Sequence, residues 1–153
     1  MRLYWWFLAV VVALSGFFTP SAPEAALSPE LQKGLETSQY VYVQSERKDG
    51  TLGKPAEIWF FYHRGAVWVA TPKTTHRVKR IEAGRTKAKV AIGKESGPSF
   101  NAKGSIVKDP EVNTAMFETF AKKYASGWSS HEKDFRDGLA NGSRVLIKYE
   151  PVE

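Results

Sequence analysis

Residues 57–81 read EIWFFYHRGAVWVATPKTTHRVKRI, and this stretch decides the fold. Segments 57–63 and 66–71 are dense in β-branched and aromatic residues, which suit a pleated, partly buried surface. Between them His63-Arg64-Gly65 supplies a tight turn. Thr71, Thr74 and Thr75 come next, followed by Arg77, Lys79 and Arg80. Hydroxyls and cations gathered just past a strand end make a seat for a phosphate or another anion. These residues predict a strand pair that presents a phosphorylated small molecule, with the rest of the chain as its scaffold.

Outward from this stretch, the pattern predicts a small sheet with a few helices. Ser28-Pro29-Glu30 starts a short helix, with Ser as N-cap, Pro at the first helical position and an acid in the first turn. A strand apolar on both faces opens over 40–43, and Lys48-Asp49-Gly50 signals a turn. One or two helical turns are predicted over 77–83, closed by Gly84. In 86–92, Ala88, Val90 and Ile92 alternate with Lys87, Lys89 and Ala91; in 100–107, Phe100, Ala102, Gly104 and Ile106 share a face. Asp109-Pro110-Glu111 is a strong helix start, and Val112, Met116, Phe117, Phe120 and Tyr124 form the stripe that follows. Gly127 is predicted to stop that helix, 134–142 reads as loop, and 144–149 closes the chain as a strand. The expectation is mainly β with a few helices: about six antiparallel strands, most economically closed as a barrel.

Composition bounds the function. The 153 residues carry 42% apolar residues and a net charge of +6, enough for one well-buried core and a bias toward anionic partners. There is no cysteine, which excludes disulfides, thiolate nucleophiles, iron–sulfur clusters and Cys-based zinc sites. His63, His76 and His131 show no metal spacing, so no metal site is expected. No dinucleotide, P-loop or nucleophile-elbow motif occurs, and Ser129-Ser130-His131 is mere adjacency. At the N-terminus, Arg2 precedes an apolar run over 3–18 and then TPSAPEAA. That order predicts a secretory signal over 1–26, or an N-terminal anchor if uncleaved, leaving 27–153 as the domain.

The order of motifs also carries a resemblance. VYVQSERKDGTLGKPAEIWFFYHRGAVWVATPKTTHRVKRIEAGRTKAKVAI, then FNAKGSIVKDPE, then FAKKYASGW resembles the pyridoxamine 5'-phosphate oxidase-like family of flavin-binding split barrels, over about residues 28–150. The resemblance implies a split β-barrel and a homodimer with flavin mononucleotide (FMN) at the subunit interface. It also implies that Thr71, Thr74, Thr75, Arg77 and Lys79 hold the cofactor phosphate while Trp59 and Phe61 flank the ring. Two departures stand out. His76-Arg77 replaces a small residue followed by Lys, a change a bidentate guanidinium can absorb. Glu57 falls near an Arg of the vitamin-oxidising members, and a carboxylate there would repel a phosphate.

The leading expectation is therefore an exported flavin-dependent oxidoreductase, its redox chemistry supplied by the cofactor. The alternative is a non-enzymatic exported module for an anionic ligand such as haem, a deazaflavin or another phosphorylated compound. Export through the general secretory route would require loading the ligand outside the cell or binding something other than a flavin. Nucleic acid is a poor candidate partner, since the export signal argues against it, and membrane contact would be confined to the N-terminal segment.

Overall fold

The computed structural model describes residues 25–153, so the expected signal segment lies almost wholly outside the described residues. Chain order is α1 (Pro29–Thr37), β1 (Val41–Ser45), β2 (Ala56–Ile58), β3 (Phe61–His63), β4 (Ala66–Pro72), α2 (His76–Glu82), β5 (Lys87–Ile92), β6 (Ser99–Val107), α3 (Pro110–Lys123), α4 (Ala125–Asn141) and β7 (Arg144–Pro151). All strand pairs are antiparallel, in the order β2-β1-β5-β6-β7-β4-β3. Among the described residues, no helix is long and apolar enough to cross a membrane.

Closure of the barrel is written into that order. Strands β2 and β3 lie at opposite ends of the sheet, yet only Trp59 and Phe60 separate them. Three Cα steps reach roughly 10 Å, so the two ends must come together and the sheet must curl. The predicted single strand 57–63 is thus a bent strand that pairs with β1 through its first half and with β4 through its second. Seven named strands stand where about six were expected, because the bend divides one of them.

The bend leaves backbone groups without a ladder partner, and α3 supplies the replacements. The Phe60 N–H donates to the Tyr124 hydroxyl at 3.0 Å, and that hydroxyl donates to the Gln39 carbonyl at 2.8 Å. The Lys123 ammonium donates to the Phe60 carbonyl at 3.1 Å and lies 3.4 Å from the Phe60 ring centroid. Burial pushes the Tyr124 phenol well above its ordinary range and pulls Lys123 down to about 8.

The sheet separates two cores. Its concave side encloses Val41, Val43, Phe60, Val67, Val69, Val90, Phe100, Ile147 and Tyr149. Ala88, Val90 and Ile92 face this interior together, as their alternation predicts. Helix α1 packs on it through Leu35, and α2 through Val78 and Ile81. Gly104 makes room there, since a Cβ would stand 3.0 Å from both Ile81 Cδ1 and Tyr149 Cε1. The convex side carries Phe61, Trp68, Ala70 and Leu146 beneath α3 and α4.

Local signals set the element ends. Ser28 accepts from the Leu31 N–H at 3.3 Å, and the Asp109 carboxylate accepts from Glu111 and Val112, each at 3.1 Å. The β3–β4 turn has only two residues, Arg64 (φ 50) and Gly65 (φ 72), the positive-φ pair of a twisted hairpin. The exposed Arg64 side chain pairs with Glu111 at 3.1 Å.

Two expectations fail. Gly127 does not stop α3; it lies inside α4, and the break falls at Tyr124 (φ −118, ψ 36). Residues 134–142 are not a loop but mostly the second half of α4, which ends at Gly142 in the left-handed region (φ 80). Burial of Trp128 and Phe135 overrides the polar, glycine-containing composition of that segment.

Tyr124→Phe removes the hydroxyl that bridges Phe60 and Gln39, stranding the buried Phe60 N–H at a cost of about 1–3 kcal/mol. Urea unfolding should show a lower midpoint at unchanged m-value; an unchanged midpoint would remove Tyr124 from the closure. The lysine gives a second prediction. Between pH 8 and about 10 the unfolded chain keeps a proton that folded Lys123 releases, so stability should rise with pH. Above about 10, unfolded tyrosines ionise while Tyr124 and Tyr149 hold their protons, and stability should fall. Lys123→Met should abolish the rise and keep the fall, as read by urea midpoints from pH 7 to 11.

Candidate functional site

The hydroxyl-rich turn sits where β4 leaves the sheet for α2. Thr71 is buried at 4% exposure and its Oγ1 stands 3.5 Å from Thr75 Oγ1. Thr75 occupies the N-cap position of α2, but its hydroxyl caps no helical N–H. Two hydroxyls therefore meet at the mouth of the barrel with little competing backbone bonding. Thr74 is exposed on the same turn. Lys73, within the TPKTT run but absent from the expected site, is fixed there by its N–H, which donates to the Ser143 carbonyl at 2.8 Å.

The cations after the turn diverge. Lys79 is exposed on α2. Arg77 turns inward toward the Tyr149 phenol, and its Nη1 and the Tyr149 hydroxyl are both buried without a hydrogen-bond partner. Burial drives that phenol up to about 12, against a smaller downward pull from the Arg77 charge. Arg80 braces the fold, donating to the Ser45 carbonyl at 3.1 Å and the Ser45 hydroxyl at 2.8 Å. Its guanidinium crosses Gly53, where a Cβ would stand 2.7 Å from Nη1. Helical spacing sets Lys79 apart, whereas Arg77 and Arg80, three residues apart on neighbouring positions, are separated by their partners, the Tyr149 phenol and Ser45.

The two aromatic candidates belong to the convex core. Trp59 stacks on Tyr124 at 4.2 Å and 4°, and meets Phe120 and His131 edge-on at 5.9 and 5.5 Å. Phe61 is 3% exposed, enclosed by Phe120, Trp68 and His63. Phe61 is thus enclosed and Trp59 half-buried among this chain's own side chains, and both lie on the sheet face opposite Thr71. Glu57 is exposed on β2, and its carboxylate accepts from the Tyr42 hydroxyl.

Tested against a flavin phosphate, the Thr71–Thr75 pair and the Lys73 turn fit, whereas the Arg77 guanidinium is buried beside the Tyr149 phenol. Trp59 and Phe61 do not fit as walls for the ring. Ser129, Ser130 and His131 are exposed on α4, with the Ser130 hydroxyl donating to the Gly127 carbonyl, so no nucleophile–base pair forms. Among the described residues, no three His, Asp or Glu side chains converge on a metal-sized site.

No family model matches the chain, and no curated protein sequence does. Solved structures do. The heme storage protein HutZ from Vibrio cholerae superposes at a TM-score of 0.59 with 13% identity, over 84% of this chain and 92% of that one. A candidate pyridoxamine 5'-phosphate oxidase from Listeria innocua gives 0.59 with 18% identity, over 81% and 92%. An F420 reductase gives 0.54 with 19% identity, over 86% and 97%. At such identities the likeness speaks for the fold alone. The chain is a split-barrel protein, similar in fold to the pyridoxamine 5'-phosphate oxidase-like proteins.

Proposed function

We propose that this protein binds FMN through its phosphate at the β4–α2 turn and works as a flavin-dependent oxidoreductase. The observation that carries the reading is the Thr71–Thr75 hydroxyl pair, held 3.5 Å apart at the N-cap of α2 with the Thr75 hydroxyl unused as a cap. Lys73 on the same turn and Lys79 one helical turn further on supply positive charge near it. Bound flavin would supply hydride or electron transfer; the chain's part is to hold the phosphate and exclude water. Dimerisation belongs to this proposal, because the ring needs walls that Trp59 and Phe61, packed under α3, leave to other residues. Export of the domain by its N-terminal segment is likewise part of the proposal.

The placement of Trp59 and Phe61 favours one second reading: a non-enzymatic module whose anionic ligand is not a flavin. The neighbours named for heme storage and for F420 reduction make haem and a deazaflavin the natural alternatives.

Incubation with FMN followed by gel filtration tests both. The expected result is a retained flavin absorbance band near one per chain, and a Soret band on haem loading would favour the second reading. Thr75→Val should weaken FMN about tenfold or more, since hydrogen bonds to a charged group contribute about 1.5–3 kcal/mol. Trp59→Leu should destabilise the fold more than it changes FMN affinity. No flavin retention by the wild-type protein would sink the flavoenzyme reading.

A further inference from the structure

A cavity of about 760 Å³ opens where α3 and α4 meet the ends of β6 and β7. Its volume falls in the range of small-molecule sites. Ile106, Phe117, Leu139 and Leu146 give it apolar walls. Four cations line it, Lys73, Lys108, Arg136 and Arg144, against two acids, Glu82 and Asp109. Asp109 is already engaged as the α3 cap, and Arg136 is paired with Glu132 at 2.8 Å. Among the described residues Arg144, Lys73 and Lys108 have no carboxylate within ion-pair distance.

Arg144 is held in place rather than free. Its guanidinium lies 4.0 Å from the Phe135 ring centroid, and Nη1 donates to the Ala70 carbonyl at 3.3 Å. Stacking leaves the remaining N–H donors of a planar guanidinium in fixed directions, the arrangement that binds a carboxylate or phosphate with geometric selectivity. Among the other lining residues, Asn113 has its Oδ1 buried without any hydrogen-bond partner. A buried acceptor left unpaired costs stability, so this atom is a standing place for a donor from a ligand.

We propose that this cleft is a second binding site, for an amphipathic organic anion: an apolar body, one carboxylate or phosphate directed to Arg144, and a hydroxyl or N–H donor directed to Asn113. It is separate from the cofactor reading, sharing only Lys73 with the β4–α2 turn. The two anionic headgroups are the same chemistry at Arg144, and affinity for each distinguishes them.

Isothermal titration of the full domain with 3-hydroxydecanoate, decanoate, decyl phosphate and decanol tests the site. Saturable 1:1 binding of the hydroxy acid or the phosphate, with no binding of decanol, is expected; the tighter headgroup identifies the anion. Asn113→Ala should erase the preference for 3-hydroxydecanoate over decanoate, and Arg144→Gln should weaken every anion at least tenfold. Thermal unfolding confirms that each variant is folded, and Asn113→Ala carries the test alone if Arg144→Gln is not. Absence of saturable binding by the wild-type protein would overturn the proposal, as would indifference to Asn113→Ala. FMN binding should be unchanged in Asn113→Ala; displacement of the bound fatty acid by stoichiometric FMN would overturn the separateness of the site.

Discussion

The bond between the Tyr124 hydroxyl and the Phe60 backbone holds a position on which the rest of the structure depends. A sheet whose first and last strands are joined by two residues must close, and closing it bends the chain where ladder bonds cannot continue. Buried backbone groups need partners, and at this point only a side chain from outside the sheet can reach them. Tyr124 and Lys123 provide that reach, and because both lie at the end of α3, the same contact fixes where α3 stops and α4 begins. Trp59, stacked on the Tyr124 ring, carries the constraint into the convex core.

This closure divides the molecule by face. Inward residues of the strands form the barrel core, and the outward ones meet α3 and α4. The β4–α2 turn, at the rim between these regions, keeps polar side chains beside buried apolar ones. That is the setting in which hydroxyls and cations are worth most to an anionic ligand, since the dielectric is lowered and the donors are held in position. The cleft beside α3 and α4 draws on the same circumstance at the neighbouring rim, where Arg144 begins β7.

Much of the fold was legible in sequence because its signals are local. Alternation in 86–92 and 100–107 assigned the inward faces, and Ser28 and Asp109 marked helix starts through hydrogen bonds that span three residues. The turn at Arg64-Gly65 was readable for the same reason. Helix α4 was not, because its polar composition and internal glycines argue against a helix unless Trp128 and Phe135 find a core to enter. The candidate site residues, read as one cluster in sequence, are only partly brought together. Thr71 and Thr75 do come together, whereas Arg77 turns inward, Arg80 braces Ser45, and Trp59 and Phe61 face the helices.

By itself the sequence determined most strands, the starts of α1 and α3, the antiparallel sheet and the concentration of hydroxyls and cations after β4. These follow from periodicity, capping and composition, which act over a few residues. Only the tertiary structure decided that one predicted strand would bend to close the barrel, that the basic residues of α2 would part company, and that Asn113 and Arg144 would face one cavity. Those outcomes depend on contacts between residues far apart in the chain, such as Phe60 with Tyr124, where burial decides which polar group finds a partner.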